Sequence, residues 1–75
     1  MPHTYESAGS YALRRWLRKT KTTQTALARA IGRTQGQISS WRSGARKPHG
    51  AARAELCLET GIRPSAWDRA PRVRP

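Results

Sequence analysis

Seventy-five residues suffice for one small domain, whose modest core often gains stability by pairing. Fifteen Lys and Arg against four acidic residues leave a net charge of +11, which says little about fold but draws polyanions. The longest apolar run, Leu56-Cys57-Leu58, is far too short to cross a bilayer, and one cysteine excludes an internal disulfide.

The charge is unevenly placed. No carboxylate stands between Glu6 and Glu55, a stretch that holds eleven basic residues from Arg14 to Arg53, whereas Glu55, Glu59 and Asp68 all fall in the last third. The start, Met-Pro-His-Thr-Tyr-Glu, has neither the basic opening nor the apolar stretch of a signal peptide, so a cytoplasmic location is expected.

In chain order, residues 1–9 carry no periodic pattern and are expected to form a loose arm. Ser10 is the expected cap of a first helix over 10–19, with Leu13, Trp16 and Leu17 on its apolar face and Arg14, Arg15, Arg18 and Lys19 around the rest. Thr23 caps a second helix, Gln24 to Ile31, with Leu27, Ala28 and Ile31 inward and Gly32 as its stop. Thr34 caps a third, with Ile38 and Trp41 inward, which Gly44 ends. Two short helices joined by a glycine-containing turn make a helix-turn-helix spanning about 23–43. A basic loop, Gly44 to Pro48, leads to a fourth helix over Gly50 to Thr60, and Pro64 opens a short fifth that returns Trp67 to the core. The domain is thus predicted over 10–68, all-α, a compact bundle of four to five helices. The basic, proline-bearing 69–75 is expected to be a disordered tail.

Thr-Gln opens the second helix, Leu27-Ala28 precedes the Gly turn, and Ile38-Ser-Ser-Trp41 lies in the third helix. Gly44 follows, with Arg46, Lys47 and Pro48 beyond it. In this order, the segment from Thr23 to Pro48 resembles the Cro/C1-type, lambda-repressor-like family of helix-turn-helix proteins. The resemblance implies that the third helix lies in the major groove of double-stranded DNA while the second crosses the backbone. On that plan Gln35, Gln37, Ser39 and Ser40 meet base edges, Gln24 and Thr34 hold phosphates at helix N-termini, and Arg46 and Lys47 clamp flanking phosphates. Three departures stand out. Arg33 occupies a turn position usually apolar in the family, so it is expected to turn toward DNA and leave the core underfilled. Arg42 stands where an acidic residue is frequent, adding a positive charge to the same face. Gly36 costs helix stability of about 1 kcal/mol relative to Ala and suits close approach of backbone to DNA.

The family further implies a small repressor acting in the bacterial cytoplasm, of phage or prophage type or an autoregulating antitoxin with a toxin or protein antagonist as partner. It is expected to bind a two-fold symmetric operator as a homodimer, joined around Leu58, Ile62 and Trp67. A protein-interaction module for an acidic partner and a non-specific architectural DNA binder are the alternatives; the polar row on the third helix favours base reading over both. Cys57 reads as a small core residue and Trp16 and Trp41 as core rather than base-stacking side chains. Membrane-surface binding is disfavoured because the apolar faces are needed for the bundle. His3, His49 and Cys57 share no ligand spacing, so no metal or other cofactor is expected. The carboxylate-poor centre gives no support to enzyme chemistry.

Overall fold

The computed structural model describes residues 7–71. Four α-helices follow one another: α1 Ala8–Thr20, α2 Gln24–Ile31, α3 Gln35–Ser43 and α4 Gly50–Thr60. A 3₁₀ helix, Pro64–Asp68, closes the chain path. Among the described residues all regular structure is helical.

The local reasons for the central pair are the capping residues. Thr23 accepts the Ala26 N–H at 3.0 Å and starts α2; Gly32, at φ 70°, ends it in the left-handed conformation that a Cβ disfavours. The Arg33 N–H then returns to the Ala28 carbonyl at 2.8 Å, so the turn is closed within three residues and Thr34 is already the cap of α3. The apolar spacing of α2 and α3 turns Leu27, Ala28, Ile38 and Trp41 onto one another and onto Leu13 and Leu17 of α1. Burying each of the leucines and the isoleucine contributes roughly 1.5–3 kcal/mol.

In space the order differs from the chain. The helix α3 packs on both α1 and α2, while α4 packs on α2; the 3₁₀ helix bridges α1 and α4. Trp67 is fully buried at that bridge, with Ile62 and Ala66 beside it. Its indole lies directly over Gly9, where a Cβ would fall inside the ring system. The Ala8 N–H also donates to the Arg69 carbonyl at 2.7 Å.

That seat corrects the expected start of α1. Ser7, not Ser10, is the cap: its Oγ accepts the Ser10 N–H at 3.0 Å, and both serines are buried. The helix begins two residues early because Gly9 must present bare backbone to Trp67. Residues 7–9 therefore belong to the packed domain, as does Arg69 through its carbonyl. The rest of the expected arm, residues 1–6 with His3, and the end of the expected tail, residues 72–75, lie outside the described residues. Trp16 and Cys57 are half-buried, Trp16 against the margin of the core.

No helix of the described chain is long and apolar enough to cross a membrane.

Candidate nucleic-acid interface

The two helix N-termini of the central pair are tied by their glutamines. Gln35 Nε2 donates to Gln24 Oε1 at 3.0 Å, joining the first residue of α3 to the first residue of α2. Gln35 is exposed and Gln24 half-buried, so the inner amide holds the outer one at the surface. Gln37 is used differently. Its Oε1 accepts the Thr34 N–H at 3.0 Å while Thr34 Oγ1 accepts the Gln37 N–H at 3.1 Å, a reciprocal capping box. Gln37 is therefore a helix-starting residue whose amide nitrogen alone is left for an outside partner. Ser39 and Ser40 lie further along α3, half-buried. Between the glutamines, Gly36 faces open space; a Cβ there would meet only Thr34 Oγ1, at 4.0 Å. The fold itself does not require glycine at this position.

Along one side of α3 runs an open groove of about 790 Å³, walled by Thr34, Gly36, Gln37 and Ser40 on the helix and by Arg46 and Lys47 on the loop that follows. The loop is held to the helix end: the Arg46 N–H donates to the Ser40 carbonyl at 3.2 Å, and Ser43 Oγ accepts the Ala45 N–H at 3.3 Å. On the far side lies a hollow of about 300 Å³ where Arg14 and Arg18 of α1 and Arg42 of α3 meet around Thr23 and Gln24 at the start of α2. Arg14 Nη1 donates to the Arg42 carbonyl at 2.9 Å, which locks α1 to the end of α3. The first-turn N–H groups of a helix and its positive dipole end favour an anion in such a place. A polar helix thus lies between two cationic hollows.

Arg14 and Arg18 belong to the charge run of the first helix, Arg14, Arg15, Arg18 and Lys19, for which the sequence favours contact with a DNA backbone over a merely solvated face. With Leu13 and Leu17 inward, positions 14 and 18 share the adjoining strip of α1, one turn apart.

The other basic residues divide by their neighbours. Arg33 does not extend freely outward: its Nε meets Glu55 Oε1 at 2.8 Å, and it is half-buried between the turn and α4. Nor is the core left underfilled, because Ile31 packs against it from the preceding turn. Lys47 leans toward Asp68, Nζ to Oδ1 3.9 Å, rather than standing clear of carboxylates. Arg42 and Arg46 are exposed and have no ion pair among the described residues.

Behind the basic loop, Arg53 of α4 is the fastening. Its Nε donates to the Pro48 carbonyl at 2.8 Å and Nη1 to the Pro64 carbonyl at 3.2 Å. The guanidinium also grips Asp68 with two bonds, of 2.7 and 2.9 Å. These bonds from Arg53 hold the Asp68 carboxyl below its ordinary range against the opposing effect of desolvation, and the Arg53 and Lys47 charges add lesser contributions in the same direction as the bonds. The same bonds raise Arg53.

Of the residues expected at a dimer surface, only Leu58 is on the outside. Ile62 and Trp67 are core residues, because the chain after Gly61 turns back under α1 instead of continuing the outer face of α4. Among the described residues no group of three or more His, Cys, Asp and Glu gathers as a metal site.

Comparison of the chain with protein-family models, with characterised proteins and with solved structures finds no match.

Proposed function

We propose that this chain reads double-stranded DNA, with α3 entering the major groove, and acts as a small transcriptional repressor of the Cro/C1 type. The observation that carries the reading is the Gln24–Gln35 bond. With one amide hydrogen committed to Gln24, Gln35 keeps its Oε1 and its second N–H, the acceptor and donor that match N6 and N7 of adenine. A side chain oriented before binding loses less entropy on contact than a free one.

The charge on either side of α3 supports the same reading. The walls of the major groove are phosphate backbones. On this reading Arg46 and Lys47, which line the groove, meet one of them, and the hollow lined by Arg14, Arg18 and Arg42 at the N-terminus of α2 meets the other. An electrostatic clamp alone would need no paired glutamines between the two. The proposed setting is the bacterial cytoplasm, as a phage or prophage regulator or an autoregulating antitoxin with a protein partner.

Selection from a randomised duplex library tests the reading. An enriched motif is expected, and Gln35→Ala should relax preference at one position, costing about 1–3 kcal/mol against the best site. No enrichment, with Gln35→Ala weakening every duplex alike, would leave a non-specific binder and overturn the proposal.

A further inference from the structure

The two outer helices carry complementary faces that look away from most of the core and from the groove along α3. On α4, Ala51, Ala54 and Leu58 are exposed at helical spacing, and Leu58, 89% accessible, is the exposed large apolar side chain of the molecule's described part. Glu55 and Glu59, one turn apart, form a strip on one side of it. Glu59 is exposed with no ion pair among the described residues, while Glu55 gives one oxygen to Arg33.

On α1, the half-buried Trp16 borders a shallow hollow of about 420 Å³, walled by Ala12, Arg15, Arg18 and Lys19. Arg15 and Lys19 are also one turn apart, on one strip beside the indole. One helix therefore offers an aliphatic knob beside a strip of two carboxylates, and the other an aromatic-edged hollow beside a strip of two cations at the same spacing. The two faces lie on different flanks of the central pair, since α1 packs on α3 and α4 on α2.

We propose that copies of this chain associate head to tail, Leu58 of one seated beside Trp16 of the next, with Glu55 and Glu59 against Arg15 and Lys19. Such a contact joins two different surfaces, so it repeats in one direction instead of closing a two-fold pair. Self-pairing of the α4 faces is the weaker arrangement, because it would set carboxylates against carboxylates. The patch is small, and the net charge of +11 opposes assembly in free solution. On DNA both obstacles fall: phosphates neutralise the charge, and neighbouring sites raise the effective concentration. Resting on the DNA reading, the inference is that sites recur in the same orientation and fill cooperatively.

The test uses duplexes with one selected site, with two in the same orientation at a series of spacings, and with two inverted. At the best spacing the second copy should bind about ten-fold more tightly beside a same-orientation neighbour than alone. Lys19→Glu or Glu59→Lys should bring that ratio to about one, and an equimolar mixture of the two variants should restore it. A general change in charge would move single-site affinity and leave the ratio alone. A ratio unmoved by either reversal, or a larger one for inverted sites, overturns the proposal. Should the single-site duplex not bind, the DNA reading fails on its own, and the contact is then read on the protein alone by NMR. Trp16 indole and Leu58 methyl resonances that move with concentration in the native chain, but not in Leu58→Asp, sustain it; resonances that stay fixed overturn it.

Discussion

The face built by α3 and its two cationic hollows and the face built by α4 and the 3₁₀ helix use the same residue type to opposite ends. Around α3, Arg18, Arg42 and Arg46 have no ion pair among the described residues, so their charge remains available to an outside anion. Around α4, Arg33 and Arg53 are spent internally on Glu55 and Asp68. What separates them is distance from the three carboxylates of the last third. An arginine beside a carboxylate becomes a strut; one without it remains a binding group.

The comparison breaks most visibly at Arg53. Arg53→Ala removes charged hydrogen bonds to the Pro48 and Pro64 carbonyls as well as the grip on Asp68. Loss of about 2–3 kcal/mol is expected in chemical denaturation. Any DNA affinity should fall too, through a loosened basic loop. An Arg53 variant as stable as the native chain would show that the loop is held by Pro48 packing alone.

Gly36→Ala gives the next effect, and its two readouts should oppose each other. With open space at the position, alanine should stabilise the fold by about 1 kcal/mol. If α3 approaches DNA as closely as proposed, the added methyl should weaken binding. A gain in thermal stability with unchanged affinity would place Gly36 outside the contact.

Arginine against arginine sharpens the division further. Arg18→Ala or Arg46→Ala should each lower the slope of log affinity against log salt by about one with little change in stability. Arg33→Ala should leave the slope in place and cost up to about 1 kcal/mol of stability, as partly exposed ion pairs do. Equal salt slopes for all three variants would erase the distinction.

The smallest effect is the pH dependence of the Asp68 pair. Because Arg53 holds the folded carboxyl below its unfolded value, the stabilisation is fully present above the ordinary carboxylate pKa of about 3.9. It is lost as pH falls through the lower folded value. Stability should therefore be insensitive to this group from neutrality to mild acidity, and Asp68→Asn should flatten only the acid end of a denaturation series.

Much of this was legible in the sequence because its signals are local. Thr23, Gly32, Thr34, Gly44 and Gly61 cap or stop helices whose observed ends match the expected ones, since each acts within a few residues of itself. The start of α1 was misplaced for the opposite reason. Both Ser7 and Ser10 can cap a helix, and the choice is made by Trp67 lying on Gly9 from the other end of the chain. The roles of the basic residues were hidden in the same way: Arg33 and Arg53 find their carboxylates 22 and 15 residues on. Leu58, Ile62 and Trp67 were grouped as a dimer surface because they lie close together in the last two helices, but the reversal after Gly61 sends the last two inward. Gln37 looked like a base reader because a capping box and a reading residue ask for the same side chain at the same turn of α3.

The meeting of Trp67 with Gly9 also has a consequence for biosynthesis. The helix pair bearing the glutamines is complete once Gly44 has been made, yet the plug that closes the floor of α1 is among the last described residues to be translated. Until Trp67 leaves the ribosome, the backbone at Gly9 lacks the indole that lies on it. The packing of α1 can therefore be completed only after translation has passed the 3₁₀ helix.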